Sequence, residues 1–261
     1  MISENELRII HNYVLDIAKL FHTICQTNNI QYYMLGGSML GAIRHKGFIP
    51  WDDDMDFGVA RQDFERLNAI LSNNLPEHIR LVSNKNTENF YGGFIKLEDT
   101  RTLIKENSSE YDFGVNIDIF PLDKTDNDFS ILSKNKRINT LYKIHCYRFY
   151  KLANYSLPKR LISKTLHLLH FPKNKFQILN IIEKKLLTNK GDYIANHYGA
   201  WGMKETVKAS VMGMPTLYSF ENEQFYGVEN AKAYLETLYG DFMTLPKEDK
   251  RQTHIKELII K

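Results

Sequence analysis

Three aspartates carry the most chemical information in this chain. Asp54 and Asp56 stand in Asp54-Met55-Asp56-Phe57-Gly58-Val59, where acidic and apolar residues alternate at the period of a strand. Residues i and i+2 of a strand face the same way, so both carboxylates are presented together, about 7 Å apart along the chain. Carboxylate oxygens are the hard ligands that Mg2+ takes. Two such ions about 3.5 to 4 Å apart can activate a nucleophile and stabilise a leaving oxygen in one in-line displacement. A third acid usually completes such a site, and Asp118 is the candidate. It sits alone in the apolar run Asn116-Ile117-Asp118-Ile119-Phe120, where a charge without compensation costs several kcal/mol, so it needs a cation or a neighbour. Fifteen residues separate Asp54 from Ser38, the end of Gly36-Gly37-Ser38. Small residues ahead of a helix leave backbone N–H groups free for phosphate oxygens, which makes Gly37 and Ser38 the phosphate cradle. The combination points to nucleotide chemistry. Taken singly, each part has a plainer account: Asp52-Asp53-Asp54 after Pro50-Trp51 as a solvated acidic turn, and Gly36-Gly37-Ser38 as an ordinary turn.

The elements that must position these residues are legible in outline. Ser3 and Glu6 can form a capping box ahead of Leu7, Ile10, Val14, Ile17, Leu20, Phe21 and Ile24, which recur at helical spacing. Tyr32 to Leu35 reads as a short strand running into Gly36-Gly37-Ser38, Met39 to Ile43 as a helical turn or two, and Arg44 to Trp51 as a loop. A strand over Met55 to Val59 precedes a helix from about Gln62 to Leu71. Ile79 to Ser83, Phe94 to Leu97, Thr102 to Ile104 and Val115 to Phe120 are four further candidate strands. Residues 1–125 therefore read as a mixed sheet with helices, the catalytic core. From about Phe129 to Lys190 the strand signals vanish, and apolar residues from Leu161 to Leu169 and from Phe176 to Leu186 fit helices broken at Pro158 and Pro172. A last helix over Asn230 to Tyr239 stops at Gly240. The expected fold class is α+β, with residues 126–261 a basic, mostly helical region and C-terminal elements that complete the site.

Composition narrows the classes. The chain has 261 residues, 43% hydrophobic and 25% charged, which excludes disorder, collagen and coiled coil. Cys25 and Cys146 have no metal-binding or disulfide-framework spacing, and a reducing compartment fits. The N-terminus lacks a basic and apolar leader and no uncharged apolar run reaches a bilayer-spanning length. The expected location is cytoplasmic. The net charge of +3 conceals a split: Lys134 to Lys185 holds 13 Lys and Arg against one acid, Glu183, so that segment carries +12 and the remainder −9.

The run from Met34 to Asp56, MLGGSMLGAIRHKGFIPWDDDMD, resembles the signature block of the LicD family, bacterial phosphocholine transferases related to fukutin-type phosphotransferases. Lys96, Thr102 and Ile117-Asp118-Ile119-Phe120-Pro121-Leu122-Asp123 resemble its second block, and Tyr234-Leu235 with Tyr239-Gly240-Asp241-Phe242-Met243 its C-terminal block. Val228-Glu229-Asn230 departs from the pattern in lacking a proline before the last helix. The resemblance implies a nucleotidyltransferase-like fold and transfer of phosphocholine from CDP-choline to a sugar hydroxyl of a cell-surface glycan precursor, such as teichoic acid, lipopolysaccharide or capsule. Related members are held to transfer other alditol or sugar phosphates.

On this reading Asp54, Asp56 and Asp118 hold Mg2+ or Mn2+ against the diphosphate of a CDP-activated donor, and Asp118 either ligates a second ion or takes the acceptor hydroxyl's proton. Phosphoryl transfer depends on positioning and charge neutralisation, which brings in Arg44, Lys46, Arg61 and Lys96, with His45 a further phosphate donor; each also reads as an ordinary surface or loop residue. A choline head requires aromatic faces, for which Trp51, Tyr91, Tyr111 and Trp201 are candidates. The basic segment reads either as a docking face for an anionic inner membrane surface bearing a lipid-linked acceptor or as a solvated positive face; it contains no nucleic-acid motif. Nucleotidyl transfer and a catalytically silent glycan-binding scaffold are the competing functions.

Overall fold

A computed structural model describes residues 2–88, 90–106, 112–126, 129–146, 157–158, 160–161, 165, 179–187, 190–251 and 253–261. Helix α1 (Glu4–Thr27) begins at the capping box: Ser3 Oγ accepts the Glu6 N–H at 3.2 Å, and the Glu6 carboxylate accepts the Ser3 N–H at 2.7 Å. Its apolar stripe, from Leu7 through Ile10, Val14, Ile17 and Phe21 to Ile24, is buried against strands β4 (Ile95–Glu106) and β5 (Phe113–Thr125). The two strand candidates at Phe94–Leu97 and Thr102–Ile104 are one long strand, β4, with a register shift between Asp99 and Ile104.

The remaining elements of the first half are β1 (Tyr32–Met34), α2 (Gly36–Arg44), β2 (Asp56–Ala60), α3 (Arg61–Leu71) and β3 (Ile79–Val82), within a residue or a few of the boundaries expected from periodicity. Strand β5 sits at the middle of the sheet between β4 and β2. It is buried on both faces from Phe113 to Asp123 except at Asp118. A strand covered on both sides is an almost continuous apolar run. Asp118 is the polar opening in that run, which is the reason its setting stood out.

The last strand read from the sequence ends at Phe120, and among the described residues five more follow Lys190: β6 (Tyr193–Ala195), β7 (Thr206–Lys208), β8 (Thr216–Phe220), β9 (Glu223–Gly227) and β10 (Ile255–Ile260). These strands are three to six residues long and mixed in polarity, so their period-2 signal is weak. The sheet path is β10-β4-β5-β2-β1-β9-β8, with β3 on β4 and with β6 and β7 extending from β5. The pairs β2–β5 and β1–β9 are parallel and the others antiparallel. The result is an α+β architecture with one mixed sheet.

Helix α4 (Phe129–Cys146) opens the basic region, with Ile138, Asn139 and Tyr142 buried and Lys136 and Arg137 exposed. A π-helical turn spans Ile182–Leu186. Most of the helix expected at Leu161 to Leu169 lies outside the described residues, as does Tyr111. The last helix, α5 (Ala231–Tyr239), needs no proline before it, because Asn230 caps it by accepting the Ala233 N–H at 3.2 Å. Gly240 leaves the helix at φ +73°, a conformation that favours glycine.

Candidate active site

The register of three neighbouring strands builds the centre. Asp56 on β2 lies beside Asp118 on β5, and Asp118 lies opposite Lys96 on β4. Neighbouring strands are about 4.8 Å apart and laterally paired residues share a face, so the row Lys96–Asp118–Asp56 converges on one side of the sheet. Lys96 Nζ donates to Asp118 Oδ1 at 2.5 Å and to Asn116 Oδ1 at 3.0 Å. Asp118 is thereby compensated, as its apolar surroundings require. Asp54, two residues before Asp56, faces the same cavity.

Helix α2 starts beside this row. Gly36 has φ +48°, its N–H donates to the Tyr234 hydroxyl at 3.0 Å, and a Cβ there would lie 3.5 Å from Asp56 Oδ2. Gly37 leaves room for the Asp52 carboxylate, which would come within 2.6 Å of an added Cβ. Ser38 is buried, and its Oγ accepts the Asp56 N–H at 2.7 Å. Ser38 therefore holds the first residue of β2. Gly36 and Gly37, at the open end of α2, both border the cavity, and Ser38 does not.

The cavity has a volume of about 400 Å3. Its lining includes the acids Asp53, Asp54, Asp56, Asp118 and Glu205 and the aromatic residues Phe90, Tyr91, Phe94, Tyr142, Tyr198 and Trp201. Burial, followed by the repulsion of neighbouring acids, raises Asp54 and Asp56 well above the ordinary carboxylate range. Burial raises Asp118 too, opposed by the charge of Lys96. Asp52 is pushed up to about 6 by burial and by Asp53. Glu205 is pushed up to about 7 by burial, although it accepts the Trp201 N–H and the Asn196 amide, each at 2.7 Å.

Among the described residues, no basic side chain is ion-paired with Asp54 or Asp56. Such a donor set, all oxygen and short of positive charge, fits a hard divalent cation. Asp54, Asp56 and Asp118 share the cavity without drawing into a tight triad. Among the described residues, the three-ligand cluster with all atoms within 4.8 Å of one another is Asp52, Asp53 and His254.

The other expected binding residues lie away from the cavity lining. Arg44 donates to the Phe242 carbonyl at 2.7 Å. His45 meets Trp51 edge-on at 6.1 Å between ring centres. Lys46 occupies a positive-φ turn at +63°, where its carbonyl accepts the Glu221 N–H at 2.8 Å. Arg61 forms a two-pronged pair with the fully buried Asp123, at 2.8 and 2.9 Å, and lies over the Tyr198 ring. Trp51 is covered by Arg251, whose guanidinium carbon is 5.0 Å from a ring centre of Trp51. Sequence reasoning missed Asn196, Tyr198, Glu205 and His254. All four belong to segments where no local periodicity marks a site, and the fold alone brings them to the acids.

The family model for the LicD/FKTN/FKRP nucleotidyltransferase domain matches residues 29–143, the span that holds Gly36, Asp54, Asp56, Lys96 and Asp118. The chain is 29% identical to the lipopolysaccharide cholinephosphotransferase LicD of Haemophilus influenzae across 94% of its own length and 95% of that protein. The domain match and the likeness along the whole chain together support membership of the LicD family. A shorter stretch of 48 residues, 18% of this chain and 10% of the relative, is 42% identical to the ribitol 5-phosphate transferase FKRP of Homo sapiens and of Mus musculus. The chain thus has an α+β nucleotidyltransferase-like fold in which Gly36, Asp54, Asp56, Lys96 and Asp118 border one cavity.

Proposed function

We propose that this protein transfers a phosphorylated headgroup from a nucleotide-activated donor to a glycan hydroxyl, with CDP-choline as the donor and phosphocholine as the group moved. The observation that carries the reading is the row Lys96–Asp118–Asp56, set beside the α2 N-terminus and Asp54 in one cavity. It supplies acids for a divalent cation, a lysine and a helix N-terminus for phosphate, and aromatic side chains in the same lining. The full-length likeness to a lipopolysaccharide cholinephosphotransferase favours choline over ribitol, because the likeness to the ribitol 5-phosphate transferase covers only a short stretch.

Asp54, Asp56 and Asp118 would hold Mg2+ or Mn2+. When bound, the ion supplies neutralisation of the donor's diphosphate charge. Lys96 would neutralise a phosphate oxygen, and the Gly37 amide, at the positive end of α2, would orient the same group. The acceptor oxygen attacks the headgroup phosphorus, the bond from that phosphorus to CMP breaks, and the hydroxyl proton passes to Asp118. The quaternary ammonium of choline cannot make an ordinary hydrogen bond, and the π faces of Phe90, Tyr91, Phe94, Tyr142, Tyr198 and Trp201 offer it contact. A lipid-linked glycan at an anionic membrane surface is the proposed acceptor.

Isothermal titration of CDP-choline, CDP-ribitol and CDP-glycerol, with Mg2+ and with EDTA, tests the reading on wild type and Asp56→Ala. CDP-choline is expected to bind in Mg2+ and to weaken at least about 100-fold in EDTA or in the variant, the scale of losing a charge-stabilising group. Preferential binding of another donor would replace phosphocholine and keep the metal site. Release of phosphocholine in place of CMP during turnover of CDP-choline would make the reaction nucleotidyl transfer. Absence of binding to all three would favour a silent scaffold.

A further inference from the structure

The middle acid of Asp52-Asp53-Asp54 is engaged in a way its neighbours are not. Asp53 is buried, and its Oδ2 accepts two backbone N–H groups, from His254 at 2.7 Å and Ile255 at 2.9 Å. Its Oδ1 lies 3.2 Å from His254 Nδ1. The partners are 201 and 202 residues away in sequence and stand at the start of β10. Strand β10 then runs along β4 from Ile255, opposite Glu106, to Ile260, opposite Thr102. Strand β4 carries Lys96, which reaches Asp118. The contacts close a loop: Asp53 to β10, β10 to β4, β4 through Lys96 to Asp118, and β5 to β2 at Asp56.

We infer that Asp53 is a positioning residue that ties the C-terminal strand to the acidic loop and so sets the direction of Asp54 and Asp56. This rests on the reading of those acids as a cation site. Both carboxylate oxygens of Asp53 are engaged with the C-terminal segment, so its bonds to His254 and Ile255 hold it as a clamp within the cluster it forms with Asp52 and His254. Two neighbouring contacts support the same seam. Arg44 donates to the Phe242 carbonyl at 2.7 Å, and Arg251 lies over Trp51. A charge-dense loop such as 52–56 repels itself, and clamping one acid to backbone N–H groups fixes the course of the loop that carries Asp54 and Asp56. The C-terminal segment is accordingly part of the active site.

Asp53→Asn, Asp53→Ala and His254→Ala decide the matter, with Mn2+ binding followed by electron paramagnetic resonance and amide hydrogen exchange followed at residues 52–56, 254 and 255. Asparagine keeps an acceptor oxygen for both N–H groups but is a poor metal ligand. A clamp therefore predicts Mn2+ affinity within about threefold of wild type for D53N and a loss of about tenfold or more for D53A, the range found when groups supporting a ligand are removed. Exchange at 254 and 255 should rise about tenfold or more in D53A and stay near wild type in D53N. His254→Ala, which spares the backbone bonds, should resemble D53N. If D53N loses Mn2+ as completely as D53A, Asp53 is a ligand and the inference fails; it fails equally if D53A changes neither affinity nor exchange. Should D53A not fold, D53N decides alone by the same thresholds. A wild type that binds no Mn2+ overturns the cation reading, and exchange in D53A against D53N then decides the clamp by itself.

Discussion

Glu205 shows how one residue can be placed at a site by tertiary contacts alone. Its carboxylate borders the cavity, fixes the turn at Trp201 and the Asn196 amide, and leaves no space for a Cβ at Gly199. Burial pushes its pKa from 4.5 up to about 7. Protons are then bound more tightly in the folded than in the unfolded protein, so the contribution to stability is complete below about 4.5 and is lost as pH rises through about 7. The full effect is on the order of 3 kcal/mol. Calorimetry at pH 5 and pH 8 should find the wild type losing thermal stability across that window, and Glu205→Gln losing several degrees less. An unchanged loss in the variant would show that Glu205 ionises normally. The three aspartates read from spacing differ from Glu205 in one respect: each stands in a local pattern, Asp-x-Asp or an apolar run, that is visible before folding.

Strand register does what spacing cannot. Asp56 and Asp118 are brought together by parallel pairing of β2 with β5, and nothing local connects residues 62 apart in sequence. The same elements consume charges that looked available for substrate. Arg61, the first residue of α3, is turned onto Asp123 near the end of β5, with Glu183 of the π-helical turn 3.6 Å away. Asp123 is fully buried, so removing its partner leaves a charge without compensation. Arg61→Ala should therefore cost about 3 to 5 kcal/mol, read by urea denaturation. Arg61→Lys should recover only part, because a lysine cannot reproduce the two-pronged geometry. An Arg61→Ala protein of normal stability and raised KM for the donor would return Arg61 to the phosphate-binding set. Arg44 and Lys46 were equally legible as cations and equally illegible as to partner: the Phe242 and Glu221 contacts join segments far apart in the chain.

The charge split is a property of the entire molecule. Among the described residues no helix is long and apolar enough to cross a membrane. The exposed Lys136 and Arg137 of α4 belong to the +12 segment, and the exposed side chains of Trp201, Met243 and Leu245 lie on loops of the second half. Each cation close to an anionic surface contributes about 1 kcal/mol, screened by salt. Flotation with vesicles containing phosphatidylserine should carry the protein upward at low ionic strength and release it in about 0.5 M salt, where the Debye length falls to a few ångströms. Protein that stays in the soluble fraction at low salt would make the segment a solvated positive face.

The sequence by itself determined the elements with strong periodicity and the acids with local pattern. The α1 capping box and stripe, strands β1 to β5, the stop of α5 at Gly240, and the candidacy of Asp54, Asp56 and Asp118 all follow from interactions within a few residues. Tertiary structure decided what depends on distant pairing: the strands after residue 190, the Lys96–Asp118–Asp56 row, the arrival of Tyr198, Glu205 and His254, and the diversion of Arg44 and Arg61 to protein partners. The physical reason is the range of the forces involved. Helix caps and alternating polarity are set by neighbours along the chain, whereas burial, ion pairing and lateral register depend on which segments the completed sheet holds side by side.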